Sequence, residues 1–296
     1  MAASNSFYIA IGLGIVSHSL IHLAKSMQRH GIEVFDKIRA KIQNTEDTVQ
    51  DGGKKSAIYT VGFILNQTPP LWAFLVGLTG APMSYYTSVY GVGLIVSLIY
   101  SAKILKEKIQ PIEYAGAAVL ISGILLLGID GVIRPPLSYA DVILERAFLM
   151  IGIIAIIGIS GMTIALNSKS KLLIGILFGL FSGSIGCLDP VFKSIGQNYG
   201  GSGGLPSGPV GWIVFIFSFG LGFISFTINQ WAFARKADSI VVIPCINTTY
   251  VIIPILLQAF ALPGFDITWL TILGLIVTIV GIYLMTFFKK QEQTAN

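Results

Sequence analysis

Nine apolar runs follow one another along the chain, at approximately 7–25, 57–79, 82–104, 111–131, 147–167, 172–198, 210–234, 238–261 and 267–288. A helix needs about 20 apolar residues to cross about 30 Å of hydrocarbon, and each run is near that length. Inside lipid, backbone amides must be satisfied within the protein, so runs of this kind fold as α-helices. The sequence therefore predicts an all-α integral membrane protein with about nine transmembrane helices. Only 11% of the residues are charged, against about a quarter in a soluble domain. The net charge of +5 does not point to nucleic acid, because the charges sit in the connections between the runs.

Those charges set an orientation. With nine spans, all but three (Arg134, Arg146 and Lys193) of the 19 basic residues fall on one side, Lys25 among them. Such an asymmetry marks the richer side as cytoplasmic. The expectation is a multi-pass protein of the plasma membrane with its N-terminus outside and its C-terminus in the cytoplasm. The chain divides into a first span (1–25), a cytoplasmic amphipathic loop (26–56), the rest of a first repeat (57–131), an outer loop and linker span (132–167), a second repeat (168–288) and a cytoplasmic tail (289–296). In the first loop Ile32, Phe35, Ile38 and Ile42 recur at helical spacing, with Lys37, Arg39 and Lys41 between them. This predicts a short helix on the inner leaflet, followed by a tether over 44–56.

The two repeats are visible in the residues. Segments 9–20 and 174–185 align without a gap at an offset of 165, so Gly14, Ser17 and Ser19 fall on Gly179, Ser182 and Ser184. Asn66-Gln67 with Trp72-Ala73-Phe74 matches Asn229-Gln230-Trp231-Ala232-Phe233, with a gap. Gly116-x6-Gly123 matches Gly274-x6-Gly281, a spacing that lets helix backbones approach closely. Spans 1 and 6 run in opposite directions under this count. The expected layout is two inverted repeats of four (spans 1–4 and 6–9) joined by span 5, with a site between the halves near mid-membrane.

The stretch Ile104-Leu105-Lys106-Glu107-Lys108-Ile109-Gln110-Pro111-x4-Gly116-x6-Gly123 resembles the end of an EamA-type repeat of the drug/metabolite transporter superfamily, with Lys106 where that repeat usually has glycine. In the second copy Phe265-Asp266 stands where the glutamate would be. Phe192-Lys193-x-x-Gly196, Ala81-Pro82-Met83-Ser84, and Asn229 followed by Asp238-Ser239-Ile240-Val241-Val242-Ile243-Pro244 are similar to stretches of the NIPA-like magnesium transporters. The resemblance implies a secondary carrier working by alternating access, moving magnesium or another divalent cation. A small organic metabolite is the alternative substrate, and a non-transporting membrane scaffold is the alternative from another class.

A charge near the bilayer centre costs ~3 kcal/mol on insertion scales, so polar residues within the runs are the candidates for a site. Asp189 leads, beside Pro190 and with Lys193 four residues on, where the two can pair. Asp189 and Asp130 are the candidate metal ligands, although the preferred reading of Asp130 is a solvated residue at a helix end. His18 and His22 share a helix face at a spacing that suits metal or proton chemistry. Asn66, Gln67, Asn229, Gln230, Asn247 and Thr248 either line a polar pathway or join helices. Tyr85, Tyr86, Tyr90 and Tyr250 could hold an organic solute. No nucleophile elbow, His-Glu-x-x-His or Walker sequence is present, so neither an enzyme nor a bound cofactor is expected. The expected partners are the lipid bilayer, the small-molecule or divalent-cation substrate and a second copy of the chain, with no nucleic acid.

Overall fold

A computed structural model of the chain describes residues 2–36, 52–78, 86, 89–134, 139–168, 170–199 and 205–295. All regular structure among these residues is helical: α1 (Ala2–Gly31), α2 (Gly52–Asn66), α3 (Pro69–Leu78), a 3-10 turn at Tyr90–Val92 leading into α4 (Gly93–Lys103), α5 (Pro111–Ile133), a second 3-10 turn at Tyr139–Asp141, α6 (Leu144–Ser168), α7 (Lys171–Gly186), α8 (Leu188–Asn198), α9 (Pro209–Ala234), α10 (Ser239–Ala261) and α11 (Trp269–Ala295). Among the described residues six helical stretches are long and apolar enough to cross a membrane: Tyr8–Gly31, Pro111–Ile133, Leu144–Ser168, Lys171–Asn198, Pro209–Ala234 and Ser239–Ala261. Tyr90–Lys103 and Trp269–Met285 are apolar but shorter. This is the make-up of a multi-pass α-helical membrane protein.

Three boundaries differ from the sequence reading. First, α1 runs on to Gly31, so residues 26–31 belong to the first helix rather than to a loop. Second, the run at 57–79 is two helices, divided at Gln67-Thr68. Pro69 offers no amide hydrogen, and a proline biases the residue before it away from helix. Thr68 closes the gap: its hydroxyl donates to the Leu65 carbonyl at 2.8 Å and accepts from Trp72 Nε1 at 3.1 Å. Third, Gly52–Ser56, read as the end of a tether, is the first turn of α2. The rest of that tether, and Lys37, Ile38, Arg39, Lys41 and Ile42 of the amphipathic helix, lie outside the described residues, as do Gly80–Tyr85.

Proline also divides the run at 172–198. Pro190 cannot supply the amide hydrogen that the Gly186 carbonyl would receive, and α7 gives way to α8 at Cys187. Two further prolines, Pro244 and Pro254, lie inside α10.

Helices α1 and α7 each serve as a hub. The first packs on α2 and α4, the second on α6, α9 and α10, and α8 lies against α9. Phe178, Phe192, Phe233 and Ile243 fill the interior around α7 and α10, while Ile156 and Ile157 of α6 face outward.

The most extensive helix pair is α5 with α11. Gly116, Gly123, Gly274 and Gly281 all lie in it. A Cβ on Gly281 would stand 2.5 Å from the Leu120 amide nitrogen, and one on Gly123 would stand 2.6 Å from that of Thr278. The backbones touch where side chains are missing. Gly281→Leu should therefore destabilise the protein by about 1–3 kcal/mol or more through overpacking. Gly220→Ala in α9, where nothing lies within 4 Å, should be neutral or slightly stabilising. Thermal unfolding of the two detergent-purified variants checks the contrast.

Candidate functional site

Residues 18, 22 and 25 are spaced i, i+4, i+7, so His18, His22 and Lys25 form one stripe along α1. All three are buried, at 3%, 0% and 8% exposure. The His22 Nδ1–H donates to the His18 carbonyl at 2.6 Å, so its Nε2 accepts from Asn247 Nδ2 of α10, also at 2.6 Å. His18 Nε2–H donates to the Tyr86 carbonyl at 3.1 Å, which leaves Nδ1 as a buried acceptor with no hydrogen-bond partner among the described residues. Tyr86 is held in turn by Ser17, hydroxyl to hydroxyl at 2.6 Å.

Small residues make this approach feasible. A Cβ on Gly93, at the start of α4, would stand 2.8 Å from the His18 carbonyl carbon and would collide with the His22 ring. One on Gly14 would meet the Tyr86 carbonyl oxygen at 2.6 Å.

Aromatic rings extend the cluster toward α10. Tyr90 sets its ring against those of His18 and His22, at centroid distances of 4.7 and 5.4 Å. Its other face stacks on Tyr250 at 5.2 Å and 5°. The Lys25 ammonium lies 5.9 Å from the Tyr250 ring centroid. Tyr250 also touches the α7–α8 break, since a Cβ on Gly186 would be 3.2 Å from its ring. Pro254 cannot donate to the Tyr250 carbonyl, and Asn247 Oδ1 is buried without a hydrogen-bond partner among the described residues. Four elements thus converge on one polar, aromatic centre: α1, the Tyr90 turn with α4, the α7–α8 break and α10.

The other sequence candidates are distributed around this centre. Asp189 and Lys193 do pair, at 2.6 Å and with each side chain 23% exposed. Lys193 also lies over the Phe219 ring, and Gly222 leaves room for the Asp189 carboxylate. Asp130 is not a solvated helix end. It is buried, accepts from the Thr268 and Thr271 hydroxyls at 2.6 and 2.7 Å, and pairs with Arg134 at 2.6 Å. Its oxygens are committed to that network. Among the described residues no group of three or more His, Cys, Asp or Glu is placed to hold a metal ion.

Gln230 joins helices: it accepts from the Tyr59 hydroxyl at 3.0 Å and donates to Gln28 at 2.7 Å. Its neighbour Asn229 is buried, with Oδ1 lacking a hydrogen-bond partner among the described residues. Thr248 returns its hydroxyl hydrogen to the Pro244 carbonyl at 3.0 Å, within its own helix. Asn66 and Gln67 sit at the α2–α3 break, Asn66 half-buried and Gln67 exposed.

Lys25 is the residue that the sequence reading misplaced. A first span that ends at Lys25 makes it a loop charge, whereas α1 continues to Gly31. Its spacing from His18 and His22 was the available signal. The Glu33–Lys55, Asp130–Arg134 and Asp189–Lys193 ion pairs do not include Lys25.

Below the centre, toward the α1 C-terminus, a polar cavity of about 470 Å³ is lined by Arg29, His30, Glu33, Lys55, Glu107 and Asp238, among others. Arg29 Nε–H donates to the Ala237 carbonyl at 2.8 Å. Hydrogen bonding to Lys55 holds the Glu33 carboxyl below the usual range. Glu107 caps α10 across the molecule, accepting from the Ser239 and Ile240 amides at 3.1 and 3.2 Å. A carboxylate at a helix N-terminus is favourable for the unpaired amides and the dipole alike. Lys106, where the EamA-type repeat has glycine, adopts φ 55°, in the left-handed region that favours glycine.

No family model, curated protein or solved structure matches the chain.

The His22–Asn247 bond makes a direct prediction. Asn247→Leu leaves the His22 acceptor buried and unpaired and should destabilise the protein by about 1–3 kcal/mol. The double variant His22→Phe/Asn247→Leu should lose less than the sum of the two single changes, measured as a double-mutant cycle by thermal or denaturant unfolding.

Proposed function

We propose that the chain is a secondary membrane transporter of the drug/metabolite type, which passes a small organic solute through the His18–His22–Lys25–Tyr90–Asn247–Tyr250 centre by alternating access. The observation that supports this reading most is the centre itself. Charged, amide and aromatic groups from α1 and the Tyr90 turn meet α10 and a proline-broken helix within a largely apolar bundle, as ligand sites in such folds do.

The proposal includes nine crossings in two inverted repeats, with the N-terminus outside and the C-terminus in the cytoplasm. Packing supports it. The sequence copies pair α1 with α7–α8, α2–α3 with α9, α4 with α10 and α5 with α11. In keeping with that, α1 packs on α2 and α4 as α7 packs on α9 and α10, and the two final copies, α5 and α11, pack on each other. The left-handed backbone at Lys106 and the capping role of Glu107 support the EamA-type resemblance.

For the substrate, the geometry favours an organic solute over magnesium. A buried ammonium at the centre repels a divalent cation. Asp130 is committed to Arg134, Thr268 and Thr271, and Asp189 to Lys193. Magnesium bound through carboxylates would have to displace those partners.

Purified protein in sealed liposomes tests the proposal. Amino acids, nucleosides and amines are screened for thermal stabilisation, and the stabilising solute is supplied radiolabelled. Saturable uptake, with no magnesium-dye response to an inward magnesium gradient, is the expected result. A saturable magnesium signal that falls in Asp189→Asn would move the pathway to α8. Uptake of neither would favour the scaffold reading.

A further inference from the structure

We propose that Lys25 and Tyr250 form the binding subsite for the carboxylate of a small organic solute that brings its own N–H or O–H donors. The inference rests on the solute-transporter reading and names the chemistry that the same centre would accept.

The first observation is the direction of the Lys25 side chain. Lys25 lies six residues, or about 9 Å, from the C-terminal end of α1. The bond from Arg29 to the Ala237 carbonyl sets that end beside the start of α10. Tyr250 lies about 17 Å along α10 from its first residue. A lysine avoiding lipid would extend toward the near end. Lys25 instead directs its ammonium to the Tyr250 ring, toward the middle of the bundle.

The second observation is that this ammonium is nine-tenths buried and outside every ion pair among the described residues. An uncompensated charge in such a place is costly, and an anion from outside the chain would remove the imbalance.

The third observation selects the rest of the ligand. Among the described residues, Asn247 Oδ1 and His18 Nδ1 are buried acceptors without hydrogen-bond partners on the same cluster. They call for donors, which the solute must carry. One ammonium balances one negative charge, and among the described residues no arginine fork completes the cluster. A carboxylate fits this charge count, whereas a phosphate dianion would leave excess negative charge buried.

The test uses the full chain in detergent, with thermal unfolding followed in sodium chloride, acetate, lactate and phosphate at constant ionic strength. Lactate, a carboxylate with a hydroxyl donor, should raise the melting temperature saturably and more than acetate, with no rise in phosphate. Lys25→Met should weaken the apparent lactate affinity roughly 10- to 100-fold, the range for losing a hydrogen bond to a charged group. Lys25→Arg, which keeps the charge, should retain measurable stabilisation.

Without ligand, Lys25→Met should melt at or above the wild-type temperature, because it removes an uncompensated charge. A lower melting temperature for that variant would show a structural lysine and overturn the proposal. So would lactate stabilisation that ignores Lys25→Met, stabilisation by phosphate alone, or no response to either carboxylate. Failure of the transporter reading looks different: Lys25-dependent stabilisation by lactate would persist while liposomes took up neither lactate nor any other solute.

Discussion

A polar group carried into an apolar bundle must find its partner within the protein. The stripe on α1 imposes that demand on the whole fold. His22 is satisfied only if its own helix offers the His18 carbonyl and α10 offers Asn247. His18 needs the Tyr86 carbonyl, which needs Gly14 and Ser17 to admit it. Gly93 must lack a side chain for α4 to begin where it does. Helix α1 therefore fixes the relative positions of α4 and α10, and the Tyr90–Tyr250 stack lies where they meet.

The network is unevenly satisfied. Gln28, Gln230 and Tyr59 close on one another and tie α1, α9 and α2 together. Asp130 is similarly saturated and ties α5 to α11. These clusters act as joints. At the Lys25 centre, by contrast, a cation and two acceptors, His18 Nδ1 and Asn247 Oδ1, stay open among the described residues, beside a helix broken by Pro190 and another carrying Pro254. Open polar groups next to interrupted helices distinguish a ligand site from a joint.

Much of this was legible in the sequence. The apolar runs marked most of the helices, the Gly-x6-Gly spacings marked faces of close backbone approach without naming the partner helix, and the i, i+4 spacing anticipated the Asp189–Lys193 pair. The break at Pro190 was visible for the same reason, a missing amide hydrogen. Lys25 was hidden by a length rule: twenty residues suffice to cross lipid, and α1 is longer. Asp130 looked solvated because its partners, Thr268 and Thr271, are distant in sequence and meet it only through the packing of α11 on α5. Glu107 as the cap of α10 was equally invisible, since the two lie 132 residues apart and only the fold brings them together.

The central claim is that the Tyr250 centre communicates with both sides of the membrane. Accessibility of a cysteine at that position measures this without knowledge of the substrate. In a Cys187→Ala/Cys245→Ala background, folded Tyr250→Cys protein in oriented vesicles would be exposed to a membrane-impermeant maleimide from either side. The account predicts labelling from both sides, each at a measurable rate. Labelling from one side only, or from neither, would contradict it.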